Sequence, residues 1–153
     1  MGFDCIGQAA KTETGEYYRN NCWWWRPLWN FTCGVCKDII TKEEAERGSY
    51  NDGIHISADK AQRIAIRLEY LVHQGEVAKY EKEYKKNLEE IPDEACDICK
   101  GTGKRNDQYV VGECNACHGK GERRPWQTHY PFEETNVKGF AKFCKESGGF
   151  EIW

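Results

Sequence analysis

Four cysteines in two matched pairs carry the clearest chemistry in this chain. Cys96-Asp97-Ile98-Cys99-Lys100-Gly101-Thr102-Gly103 and Cys114-Asn115-Ala116-Cys117-His118-Gly119-Lys120-Gly121 both read C-x-x-C-x-G-x-G. Two residues between cysteines let one tight turn aim both sulfurs at a single ion. Two such turns complete a tetrahedron, with Zn–S bonds of about 2.3 Å. The glycines admit positive φ and free backbone amides to point at the thiolates. Cys96, Cys99, Cys114 and Cys117 are therefore expected to bind one zinc ion. Four free thiols would not explain the repeated glycines. Four thiolates leave no open position for water or substrate, so the metal's expected role is to fold a segment too short to build its own core.

The other cysteines are less directive. Cys33-Gly34-Val35-Cys36 is a lone C-x-x-C. Cys5 and Cys22, or His55, could complete a second metal site with it. Alternatively the i, i+3 thiols face the core of a helix, or form a redox dithiol. Cys144 lies on an apolar helical stripe and reads as core. His55, between Ile54 and Ile56, and His129 have no local partner marking a nucleophile and base. No P-loop, dinucleotide fingerprint or H-E-x-x-H occurs.

A second unusual stretch is Arg19-Asn20-Asn21-Cys22-Trp23-Trp24-Trp25-Arg26-Pro27-Leu28-Trp29. Three consecutive tryptophans cannot all face one way in a helix or a strand. Arg19 and Arg26 can stack on the rings. Arg123-Arg124-Pro125-Trp126 echoes Arg26-Pro27-Leu28-Trp29. Trp23, Trp24, Trp25, Arg26, Trp29, Arg19, Arg124 and Trp126 are thus candidate contacts for a partner or ligand. The competing reading is that the rings glue the N-terminal segment to the rest of the fold. Lys100, Lys104, Arg105, Lys120, Arg123 and Arg124 form a local basic cluster, either a solvated face or a contact for single-stranded nucleic acid.

Helices and turns must position these groups. Pro27 suits a first helical turn, and Leu28, Phe31, Val35 and Ile39 continue one apolar face. Thr41 and Glu44 have capping-box spacing before a short helix that Gly48 can stop. Asn51-Asp52-Gly53 is turn chemistry. Ser57 can cap a helix carrying the stripe Ala61, Ile64, Ala65, Leu68, Leu71 and Val72, ended by Gly75. Val77, Tyr80, Tyr84 and Leu88 mark the next helix, closed by Pro92, and the tight turn predicts an antiparallel helical hairpin. Tyr109-Val110-Val111 predicts a strand between the cysteine pairs. Val137, Phe140, Ala141 and Cys144 mark a last helix. Phe150-Glu151-Ile152-Trp153 is a short strand or docked tail. The expected fold is mainly α with a small zinc-bound β-hairpin (α+β), a helical hairpin core plus a zinc-knuckle module. Residues 1–153 form one domain, with 92–124 the knuckle hairpin inside it.

Composition sets the outer bounds. Hydrophobic residues make up 39% and charged residues 31%, which reads as a soluble globular chain. A net charge of −3 provides no global field for nucleic acid. No apolar run is long enough to cross a bilayer, and Met1 to Glu16 lacks a secretory pattern. Without export, nine cysteines, an odd count, are expected to be reduced thiols in a cytoplasm.

The paired motifs resemble the cysteine-rich zinc domain of the J-domain chaperones (DnaJ), which uses four such repeats for two zincs. This chain has two repeats, implying one zinc. It has no His-Pro-Asp tripeptide, so only the zinc knuckle carries over. Met1-Gly2-Phe3-Asp4-Cys5-Ile6-Gly7, Gly15-Glu16-Tyr17-Tyr18-Arg19-Asn20-Asn21, the tryptophan segment and Gly148-Gly149-Phe150-Glu151-Ile152 together resemble a family of small, uncharacterised bacteriophage proteins. That likeness implies the cytoplasm of an infected bacterium. The expected function is a zinc-stabilised phage protein that engages or inhibits a host protein. Nucleotide or small-ligand binding or processing, and single-stranded nucleic-acid binding, are the alternatives.

Overall fold

Strand periodicity governs the two ends of the chain, and helical periodicity governs most of what lies between. The computed structural model describes residues 1–153. In chain order its elements are β1 (Gly2–Gly7), α1 (Glu13–Glu16), β2 (Tyr17–Asn21), α2 (Cys22–Val35), α3 (Lys42–Arg47), β3 (Ile54–Ile56), α4 (Ala58–His73), α5 (Glu76–Glu90), β4 (Glu94–Ala95), β5 (Lys104–Asn106), β6 (Val111–Glu113), β7 (Glu122–Arg123), α6 (Glu134–Glu146) and β8 (Phe150–Ile152). The fold is α+β. It forms two compact units, residues 1–85 with 130–153, and residues 86–129. No helix is long and apolar enough to cross a membrane.

The first unit is built on an antiparallel sheet in the order β2-β1-β8-β3. Alternation along each strand sends Phe3, Cys5, Ile54, Ile56, Phe150 and Ile152 into the core. The intervening positions Asp4, Ile6, His55 and Glu151 take the opposite face.

Local signals set the helix ends. The Asn21 side chain accepts the amides of Trp23 and Trp24 at 3.1 and 3.2 Å. An N-cap there starts α2 at Cys22, five residues earlier than Pro27 suggests, and leaves Pro27 inside the helix. Pro27 has no N–H to give the Trp23 carbonyl. The helix stops at Val35, where Arg67 Nη1 meets the Val35 carbonyl at 2.6 Å. Ile39 is buried beyond the helix, in a turn whose amides return to the Cys36 carbonyl. Thr41 and Glu44 form the expected capping box, Ser57 caps α4, and Gly75 (φ +75°) follows its last turn.

The helices pair differently from a sequential hairpin. The stripe Ala61, Ile64, Ala65 and Leu68 of α4 packs with α6, whose Val137, Phe140, Ala141 and Cys144 are buried. On α5, Tyr80 meets Phe31 and Phe132 with ring centroids 4.8 Å apart, and Tyr84 meets Phe132 at 5.7 Å. The aromatic face of α5 therefore finds α2 and the segment before α6, while the aliphatic face of α4 takes α6.

Candidate metal centre

The 86–129 unit holds two small antiparallel ladders, β4 with β7 and β5 with β6. They lead into and out of two turns with the same internal bonding. In the first, the Gly101 amide bonds the Cys96 carbonyl at 3.1 Å and the Thr102 amide bonds the Cys99 carbonyl at 3.1 Å. The Gly103 amide then donates to Cys99 Sγ at 3.2 Å. In the second, Gly119 and Lys120 bond the carbonyls of Cys114 and Cys117 at 3.1 Å each. The Gly121 amide donates to Cys117 Sγ at 3.2 Å.

The turns also interlock. The Cys96 amide reaches the Gly121 carbonyl at 2.8 Å, and the Cys114 amide reaches the Gly103 carbonyl at 2.9 Å. A pseudo-twofold relation therefore links the two repeats. It explains the last glycine of each. A Cβ on Gly103 would lie 2.3 Å from the Gly119 carbonyl oxygen, and one on Gly121 would lie 2.5 Å from that of Gly101.

This arrangement gathers Cys96, Cys99, Cys114 and Cys117, all buried, with their sulfurs within 4.8 Å of one another. Cys99 Sγ and Cys117 Sγ are 3.7 Å apart. A tetrahedral ion bonded at about 2.3 Å to four sulfurs separates them by about 3.8 Å. The four residues can hold a metal ion, and four sulfurs are the number a tetrahedral ion takes. Burial opposes ionisation of the Cys99 thiol, but the Gly103 amide and the neighbouring thiols pull it down to about 6. Burial, joined by the neighbouring thiols, holds Cys117 up at about 11 against the Gly121 amide.

The remaining cysteines do not form a second site. Cys96, Cys99, Cys114 and Cys117 are the one group of three or more His, Cys, Asp or Glu side chains close enough to share an ion. Cys5, Cys36 and Cys144 are buried in the core, with Cys22 and Cys33 packed at its edge. Burial raises the Cys33 thiol to about 12 and the Cys36 thiol to about 11, and raises Cys5 and Cys144 as well. At these four positions burial disfavours the thiolate, the form that reacts and binds metal.

The tryptophan segment divides. Trp25 and Trp29 are core residues and offer no surface to a ligand. Their rings stack at 5.3 Å, and their Nε1 atoms donate to the carbonyls of Gly48 and Ala45 at 2.9 Å each. The helical period sends them inward together because they are four residues apart. Trp23 and Trp24 are half-buried. The Trp23 ring lies 4.9 Å from that of Tyr130, and Arg26 Nη1 is 3.5 Å from the Tyr130 hydroxyl. Tyr130 therefore joins this group, although no local motif marks it. Arg19 pairs with Asp4 at 3.5 Å on the sheet.

In the other unit, Trp126 is 60% exposed. Arg124 is engaged within its own unit. Its guanidinium donates to the carbonyls of Leu88 (2.6 Å) and Ile91 (2.5 Å) at the end of α5, and pairs with Asp93 at 2.9 Å. Arg105 and Arg123 are also ion-paired, with Asp107 and Asp97. No protein-family model matches the chain, and comparisons with curated proteins and with solved structures found no match.

Proposed function

We propose that this chain is a binding protein whose 86–129 unit is folded by one structural zinc ion and whose partner is a protein. The observation that carries the reading is the closed set of four buried sulfurs, two of them accepting glycine amides. Soft thiolates in a tetrahedral S4 set suit zinc, and the absence of a free coordination position suits a structural role.

Aromatic side chains support a protein partner. Tyr109 is 80% exposed and Trp126 60% exposed in one unit, and the Trp23–Arg26–Tyr130 group sits in the other. Tyrosine, tryptophan and arginine dominate binding hot spots. The resemblance to bacteriophage proteins suggests a host protein in the bacterial cytoplasm, engaged or inhibited. The nucleic-acid reading is less favoured because Arg105, Arg123 and Arg124 already hold acidic partners.

Metal analysis of the purified chain is expected to give one zinc per molecule, with loss of metal on Cys114→Ser. Affinity capture from bacterial lysate is expected to return a protein that Trp126→Ala or Tyr109→Ala releases. A metal-free, fully folded chain would overturn the zinc assignment. Capture that is unchanged by both substitutions would remove these aromatics from the binding surface.

A further inference from the structure

We infer that Arg105 and Arg123 are positioning residues that clasp the two cysteine turns together and set how tightly the metal is held; the inference rests on the metal reading above. The sequence repeat is longer than the cysteines and glycines. It runs from Cys96-Asp97 to Gly103-Lys104-Arg105, and again from Cys114-Asn115 to Gly121-Glu122-Arg123. Each copy has Asp or Asn directly after its first cysteine and an arginine two residues after its last glycine.

The pseudo-twofold relation turns this pattern into two reciprocal bonds. Arg123 Nη2 lies 2.9 Å from Asp97 Oδ1. Arg105 Nη1 donates to Asn115 Oδ1 at 2.9 Å. Each arginine leaves one turn and grips the residue beside the first sulfur ligand of the other. The turns cannot separate without breaking both bonds, and separated turns no longer present four sulfurs to one ion. Partners just outside the ligands fix ligand orientation in this way.

The two clasps are not equal. Arg123 and Asp97 carry opposite charges, but both side chains are more than a third exposed, so solvent and salt screen the pair. The Arg105 side chain is only 17% exposed. Its Nε also donates to Asp107 Oδ2 at 2.7 Å, and Asp107 Oδ1 accepts the amides of Tyr109 and Val110 at 2.8 and 3.0 Å. Arg105 thus ties the second cysteine turn to the tip of the β5–β6 hairpin.

The test uses the full chain loaded with zinc(II), with release followed in excess chromophoric chelator, and a parallel sample loaded with cobalt(II). Arg105→Ala is expected to lose zinc about 10-fold faster. Arg123→Ala is expected to lose it faster by a smaller factor that shrinks in high salt. Cobalt in Arg105→Ala should show a shifted d–d envelope, because the sulfurs are held less rigidly. Asn115→Asp makes the bond charge-assisted. It should slow release when Arg105 is present and do nothing in Arg105→Ala. Wild-type release rates and cobalt spectra in both arginine variants, with one metal per chain, would overturn the clasp and leave the zinc site standing. So would an Asn115→Asp effect independent of Arg105. A wild-type chain that binds no zinc or cobalt would overturn both readings.

Discussion

Replacing Gly103 with alanine isolates what the interlocked turns contribute. Gly103 sits at φ +72°, its amide bonds Cys99 Sγ, and its carbonyl accepts the Cys114 amide. An added Cβ would meet the Gly119 carbonyl oxygen at 2.3 Å, so the two turns must part by about 1 Å to restore an ordinary contact. The left-handed backbone costs alanine about 1–2 kcal/mol. Parting the turns forfeits a net hydrogen bond worth about 1 kcal/mol. The sum, about 2–3 kcal/mol, weakens zinc retention by roughly 30- to 150-fold. Gly101→Ala is the matched control. It has φ +81°, but its nearest neighbour, Ala95 Cβ, is 3.7 Å away. It incurs only the backbone term, a loss of roughly 5- to 30-fold. Equilibrium competition against a chromophoric zinc chelator reads both. Equal losses in the two variants would show that the close approach between turns does not matter, and the reasoning fails.

Other outcomes follow from the same geometry. Chelation should strip hydrogen-exchange protection from the amides of Cys96, Gly103, Cys114 and Gly121 while leaving α6 and β8 protected; uniform protection after metal removal would contradict a metal-dependent unit. Trp25→Ala removes a fully buried ring stacked on Phe3 and Trp29, and should cost about 3–5 kcal/mol in urea unfolding. A cost below about 1 kcal/mol would place Trp25 outside the core. Glu44 is opposed by burial, but Lys60 and Thr41 hold its carboxyl below the usual range. Its contribution is therefore full above the ordinary glutamate pKa and is lost as pH falls through the lowered folded value. Glu44→Gln should flatten that part of the acid-stability curve, and an unchanged curve would argue against the Lys60–Glu44 pair.

What the sequence disclosed was local. The two C-x-x-C-x-G-x-G turns, the Thr41–Glu44 capping box, Gly75 and the stripe of α6 each depend on residues within a few positions of one another; the structure forms each of them and gathers the four cysteines into one group. What it withheld was pairing across distance. β1 gains its place only by lying between β2 and β8, the latter about 145 residues away in sequence, and no short pattern announces that. The partner of α4 is α6 rather than the adjacent α5 for the same reason. Two misses did leave a trace. Asn21 ahead of Cys22 is an N-cap signal overshadowed by Pro27, and the arginine ending each cysteine repeat extends the motif to ten residues.

Tyr84 donates its hydroxyl to the Tyr130 carbonyl at 2.8 Å, and the 86–129 segment leaves and re-enters the first unit beside that bond. The segment is therefore spliced into its host at one seam. Cutting it out and joining Lys85 to Tyr130 with a short glycine-serine bridge shortens α5, which runs to Glu90, and should leave the sheet, α4 and α6 intact. The excised piece, with the four cysteines that can hold a metal ion, is then a candidate cassette for another scaffold with a similar gap.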